Sequence, residues 1–193
     1  MPTPPRTSLE AIVEAGARIL EAEGLEALTM QAVARDVGVR APSLYKHVAG
    51  RADLVRRIAT QAATRLGDAV EEAAADREPG EALIAMAAAY RAFALTHPRT
   101  YGLLFSDQPE AMRIDAGLNA RISEPLLLTT RALAGASDEL AAGRMAVAWI
   151  HGFVSMELAG AFRLGGDVER AFDYGARRLV AAIDVTRARP PAA

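Results

Sequence analysis

Residues 28–48, from Leu28 to Val48, read LTMQAVARDVGVRAPSLYKHV. Met30, Val33, Ala34 and Val37 recur at helical spacing and stop at Gly38. Leu44, Tyr45 and Val48 resume an apolar run after Pro42. Proline is tolerated in a first helical turn, where its missing N–H has no intrahelical acceptor to lose. Glycine enters positive φ without steric cost, so Gly38 suits a tight turn between two helices. The pattern predicts two short helices with Val37, Val39, Leu44 and Val48 wedged between them. Arg40, Ser43, Tyr45, Lys46 and His47 are then left at or near the surface of the second helix. A helix with such a polar, cationic face fits the DNA major groove.

Charge supports this placement. The chain of 193 residues has a net charge of −2. Residues 29–57 nevertheless carry six basic groups (Arg35, Arg40, Lys46, Arg51, Arg56, Arg57) against Asp36 and Asp53. Residues 58–193 carry fourteen arginines against seventeen acids. Positive charge thus gathers where phosphates would need neutralising. Lys46 is the only lysine of the chain. Arg40 and Ser43 stand at the N-terminal end of the second helix, the end that enters the groove in helix-turn-helix proteins. Arg40 has the donors to span guanine O6 and N7, and Ala41 and Pro42 offer apolar contacts to thymine methyls. Tyr45 and His47 are expected to bond phosphates, with Lys46 adding charge. Thr29, a candidate N-cap, is an expected phosphate ligand through hydroxyl and backbone N–H groups. Arg51 is a further phosphate candidate. The alternatives are structural: the Tyr45 ring packs on the first helix, His47 makes an inter-helix hydrogen bond, and Arg51 and Arg56 only solvate the following helix.

The remaining chain is helical in pattern. Hydrophobic residues make up 51% and aromatics only 5%, and alanine-rich sequence favours closely packed helices. The arm 1–7 is proline-rich and is expected to be disordered. Thr7 and Glu10 form a capping-box pattern for a first helix ending at Gly24, with Gly16 on its apolar face for close packing. A fourth helix is expected over 51–74, a fifth over 81–96, a sixth over 99–105, a seventh over 111–134 and an eighth from a Ser137 cap to Leu164. Gly117 and Pro125 are candidate breaks in the seventh. Asp167 caps a ninth helix reaching Thr186, and the tail 188–193 looks frayed. The expected fold class is all-α, with a DNA-binding domain at 8–57 and a larger domain at 58–187. There are no cysteines, which fits a reducing cytoplasm. No leader or membrane-spanning run is visible, so no membrane partner and a cytoplasmic location are expected. His47, His97 and His151 lack metal-ligand spacing. No nucleophile elbow, phosphate loop or paired catalytic constellation is present. Neither catalysis, metal nor cofactor is expected.

The segment 28–54 resembles the N-terminal domain of the tetracycline-repressor (TetR) family of bacterial transcription regulators. The matching residues are Thr29, Ala34, Gly38, Val39, Leu44-Tyr45-Lys46-His47 and Arg51 to Leu54. The likeness is good over about residues 8–57 and looser, through length and helix count, beyond. It departs at Arg40, where the family often has a serine or similar cap. Trp149-Ile150-His151-Gly152 is similar to a Trp-x-His-Gly segment of one TetR subgroup. The resemblance implies about nine helices and a repressor that binds palindromic double-stranded DNA as a homodimer. It also implies release by a small hydrophobic effector. An effector pocket is expected among the fifth to eighth helices, lined by Met86, Tyr90, Phe93, Tyr101, Leu104, Phe105, Met112 and Trp149, with His151 as a polar anchor. Ordinary core packing is the alternative for each.

The eighth helix carries a small-residue stripe, Ala148, Gly152, Ser155 and Ala159, and the ninth carries Val168, Phe172, Leu179 and Ile183. The resemblance makes these the dimer interface, in a four-helix bundle between subunits. Packing within one chain is the alternative. Glu157 fits either a dimer contact or a pocket acid. The rival function is a helical ligand-binding or interaction protein with a degenerate DNA-reading head.

Overall fold

Every α-helix begins with N–H groups that have no partner inside it, and how this chain satisfies them sets most of its element boundaries. The computed structural model describes residues 7–107 and 109–185. Among these residues the α-helices are α1 (Leu9–Glu23), α2 (Met30–Asp36), α3 (Ala41–Leu44), α4 (Arg51–Ala74), α5 (Pro79–Thr96), α6 (Pro98–Phe105), α7 (Ala116–Ala134), α8 (Glu139–Leu158) and α9 (Val168–Ile183). A short 3-10 turn occupies Glu110–Met112, and no strand occurs among the described residues. The all-α class is as expected. The arm at 1–6 and the tail at 188–193 lie outside the described residues.

Several boundaries move, each for a local reason. Ser8, not Thr7, caps α1, its hydroxyl accepting from the Ala11 N–H at 3.1 Å. Pro79 opens α5 two residues early, at the position where proline costs least. α7 starts at Ala116 rather than 111, because the Asp115 carboxylate accepts from the N–H of Gly117 (2.8 Å) and Leu118 (3.3 Å). The helix then runs unbroken through Pro125. Asp138, not Ser137, stands at the N-cap of α8. α8 ends at Leu158, six residues short of the expected Leu164. Gly160, at φ +62°, closes it with a pair of bonds, Gly160 N to Glu157 O and Ala161 N to Met156 O. Asp167 caps α9 as expected, accepting from the Arg170 N–H. That helix ends at Ile183.

The chain packs as two compact units. One comprises the residues up to Thr64 together with His97–Asn119, and the other Arg65–Thr96 with the residues from Ala120 onward. α6 packs with the first unit. In that unit Ile12, Leu20, Leu28, Val33, Leu44, Leu54, Val55 and Ile58 form one buried cluster, which Leu103 of α6 joins. Gly16 lets α1 and α4 approach, since a methyl group there would press on the Ile58 side chain at 2.8 Å. The start of α4 is fixed by Asp53. Its carboxylate accepts from the Ala49 N–H (3.0 Å), Arg56 (2.6 Å) and Arg57 (3.0 Å). Burial opposes the Asp53 charge, but these bonds outweigh it and hold the carboxyl down to about 2.

In the second unit α5, α8 and α9 pack on one another. Leu83, Ala142, Ala146, Leu179, Val180 and Ile183 form its core. Arg91 of α5 forks onto Glu157 of α8 (2.8 and 2.7 Å) and lies 5.0 Å above the Phe172 ring of α9, tying the three helices together. Trp149 sits over Gly175, and a methyl group on Gly175 would overlap the indole ring.

Two outcomes are expected. Asp53→Asn should lower stability above about pH 5, and its gap from wild type should close as pH falls through about 2, because a depressed carboxyl stabilises only while ionised. Urea unfolding across pH checks this, and a gap independent of pH would contradict it. Gly175→Ala should lose about 1–2 kcal/mol, overpacking against Trp149 outweighing the gain in helix propensity. Gly102→Ala in α6, where a methyl group meets nothing within 4 Å, should lose nothing in the same measurement.

Candidate nucleic-acid interface

α3 is only four residues long, Ala41–Leu44, far too short to be stable alone. It is positioned from both ends. Before it, α2 stops in a complete glycine-terminated motif: Gly38 at φ +72°, Gly38 N to Arg35 O (3.2 Å) and Val39 N to Ala34 O (2.9 Å). After it, Val48 N donates to Leu44 O at 3.0 Å, so the turn keeps helical spacing through residue 48. Leu44 and Val48 are buried and anchor that turn in the core of α1, α2 and α4, and Val37 and Val39 pack partly buried beside them. The expected wedge is present.

The outward face is polar. Arg40, Pro42, Tyr45 and Lys46 are exposed, while Ala41, Ser43 and His47 are half-buried. Arg40 occupies the N-cap position and makes no side-chain cap bond. Tyr45 is 56% exposed, so its ring is not a core element. Thr29 is the N-cap of α2, its hydroxyl oxygen accepting from the Ala32 N–H at 3.1 Å. The hydroxyl hydrogen is left to donate. Gln31, next but one to Thr29 in the first turn of α2, is also exposed. A polar residue at that position carries no distinguishing sequence signal.

Arg51 has structural partners. Its guanidinium donates to Leu28 O and Leu25 O, both at 2.7 Å. It thereby fastens the loop between α1 and α2 to the start of α4. Two of its five N–H donors are thus engaged by carbonyls 23 and 26 residues away, a structural role that its charge alone did not suggest. Arg56 is tied to Asp53 and is not simply solvated.

The expected effector-pocket residues divide between the two units. Tyr101, Leu104, Phe105 and Met112 lie in the first; Met86, Tyr90, Phe93, Trp149 and His151 lie in the second. Leu104 and Met112 line a cavity of about 220 Å³ with Ala59, Leu103, Ile114 and the polar Asn119. Met86 is 2% exposed and belongs to packed core. Tyr101 is buried with its ring 4.9 Å from that of Phe105. Trp149 stacks 5.8 Å from Phe153 and 5.3 Å from Phe172, so its role is to join α8 to α9. His151 stands between the Tyr90 hydroxyl and Ser155 Oγ, each 3.4 Å away, and burial pushes its imidazole below the ordinary value.

The expected interface residues also divide. Ala148 and Ala159 are exposed, and Gly152 and Ser155 are half-buried. Phe172, Leu179 and Ile183 are corrected: at 2%, 5% and 4% exposed they fill the subunit's own core. The strongest apolar stripe of α9 faces inward onto α5 and α8, as an amphipathic surface helix should. Glu157 is engaged by Arg91 within the chain. Among the described residues no group of three potential ligands is placed to hold a metal ion, and no helix is long and apolar enough to cross a membrane.

Comparison with known proteins agrees with this architecture. Residues 12–58 match the model of bacterial regulatory proteins of the tetR family, and residues 83–179 match the tetracyclin repressor-like C-terminal domain. An uncharacterised HTH-type transcriptional regulator of Mycobacterium tuberculosis is 33% identical over 162 residues, spanning 81% of this chain and 73% of the relative. Two solved structures share the fold. A TetR regulator from Streptomyces coelicolor has a TM-score of 0.73 at 20% identity, covering 93% of this chain and 98% of its own. A TetR variant from Acinetobacter baumannii, in complex with minocycline, has a TM-score of 0.69 at 17% identity, covering 94% and 98%. With both family models matched in order along one helical chain, and a DNA-reading motif of the corresponding geometry, the protein belongs to the TetR family of DNA-binding transcriptional regulators.

Proposed function

We propose that the protein is a repressor that binds a palindromic operator as a homodimer and is released by a small hydrophobic effector. The observation that carries the reading is the outward face of α3, where Arg40, Ser43, Tyr45, Lys46 and His47 surround a turn pinned from behind by Leu44 and Val48. Arg40 reads a guanine edge, and Ala41 and Pro42 meet thymine methyls. Thr29, Tyr45, Lys46 and His47 hold phosphates. A motif this small buries too little surface to select one site among genomic competitors. Two copies related by a two-fold axis supply the rest by reading half-sites about one helical turn apart.

The dimer surface we favour is the outer stripe of α8. Met145, Ala148, Gly152, Met156 and Ala159 recur along one helical face, and none of the five is buried. Met145 is 48% and Met156 49% exposed. Small residues between two methionines let a second helix approach closely. For the effector, support comes from the Acinetobacter neighbour with its bound minocycline and from the cavity beside Leu104 and Met112. In this account α4 is the lever, because it begins in the reading unit and continues into the second one. An effector that prefers a tilted α4 shifts the dimer towards a spacing that cannot seat both heads. The neighbours' regulatory role and the absence of a catalytic constellation in the sequence favour a non-enzymatic regulator acting in the cytoplasm.

Substitutions separate the roles. Arg40→Ala should relax base preference at one position of each half-site, worth about 1–3 kcal/mol of discrimination. Unchanged preference would refute that assignment. Lys46→Ala should weaken binding evenly across sequences and flatten the salt slope by about one unit. Arg51→Ala should instead cost about 2–3 kcal/mol of folding stability by orphaning two carbonyls. Its salt slope should stay at the wild-type value, and a slope reduced like that of Lys46→Ala would restore Arg51 to the phosphate contacts.

A further inference from the structure

α6 is capped by a side chain from another helix. Pro98, its first residue, has no N–H, and His97 at the N-cap makes no side-chain cap bond. The next two amides, of Arg99 and Thr100, donate to Glu21 Oε1 (3.1 Å) and Oε2 (3.0 Å) of α1. The Thr100 hydroxyl adds a bond to Oε2 at 2.7 Å, and the Arg99 guanidinium donates to the Glu21 carbonyl at 3.2 Å. A carboxylate at a helix N-terminus is also favoured by the helix dipole. Glu21 therefore satisfies both first-turn donors of an element some 78 residues away.

The same end of α1 leads into the DNA-reading motif. Glu21 is followed by Gly24, whose N–H closes the helix onto Leu20 O. The loop from Leu25 to Leu28 comes next, held at both carbonyls by Arg51, and Thr29 then caps α2. α6 also borders the cavity lined by Leu103, Leu104 and Met112. We propose that Glu21 is the positioning residue that couples α6 to the reading head, giving a direct route besides the α4 lever. This rests on the reading-head assignment. A change that shifts the first turn of α6 must either break four hydrogen bonds or carry the end of α1 with it. Coupling is reciprocal, so DNA bound to the head must in turn steady α6.

The test is hydrogen exchange on the full-length protein, with and without a duplex enriched from random DNA. In the wild type the duplex should slow exchange both in residues 29–48 and in residues 97–105. In Glu21→Gln the amides of Arg99 and Thr100 should exchange roughly tenfold faster without DNA, the size of a lost cap. There the duplex should still protect residues 29–48 but no longer residues 97–105. Thr100→Val, which keeps the carboxylate and loses only the hydroxyl bond, should show a partial loss and carries the test if Glu21→Gln does not fold. Glu23→Gln, exposed on the same helix, should behave as wild type. Protection of residues 29–48 without residues 97–105 in the wild type, or DNA protection of residues 97–105 that persists in Glu21→Gln, would overturn the coupling while leaving the DNA-reading function intact. No protection of residues 29–48 by any enriched duplex would overturn the reading-head assignment, and the coupling with it.

Discussion

The reading surface depends on the burial of two side chains, Leu44 and Val48. They are 0% and 2% exposed, and each contributes about 1.5–3 kcal/mol by leaving water. Four helical residues cannot hold their own shape, so this burial determines where Arg40, Tyr45 and Lys46 stand. The Gly38 turn fixes the direction from which the chain enters. Arg51 and Asp53 then fasten the loop before α2 and the start of α4 to the same core. The cationic face is therefore rigid from behind and open in front, the condition for reading a groove without first ordering a loop.

The first unit holds more than the DNA-reading motif. α6 is anchored in it by Leu103 in the core and by Glu21 at its first turn. The segment around residues 97–119 thus gives the reading unit a cavity of its own. The second unit is built on different chemistry: alanine-rich helices, a Trp149–Gly175 crossing, and the partly buried Arg91–Glu157 ion pair, its guanidinium over the Phe172 ring. Fixed contacts of that kind suit a scaffold, and they leave the outer face of α8 free.

The sequence made the fold legible where the signal is local. Helical spacing, Gly38, Pro42, Asp167 and the Leu44–Val48 pair are all readable within a few residues, and the structure agrees with each. Helix ends were harder, because Thr7 and Ser8 share the same cap chemistry, and Gly160 competes with Gly165 and Gly166 for the end of α8. At the candidate site the exposure of Arg40, Tyr45 and Lys46 was legible in the helical spacing, whereas the partners of Arg51 were not. A basic residue near a cationic motif looks like a phosphate ligand until its carbonyl partners, more than twenty residues away, are known. Phe172, Leu179 and Ile183 misled for a related reason: an apolar stripe states that a face is buried, not by what. Glu21 carried no signal, since its partners lie some 78 residues on.

Everything proposed for this chain turns on a dimer reading a palindrome through α3. The most direct measurement is in-vitro selection on random duplex DNA, with the bound footprint sized and the protein in the complex counted. A palindrome should be enriched, with half-sites about one helical turn apart and two chains per site. A folded protein that enriches no sequence and binds DNA only weakly and salt-sensitively would contradict it.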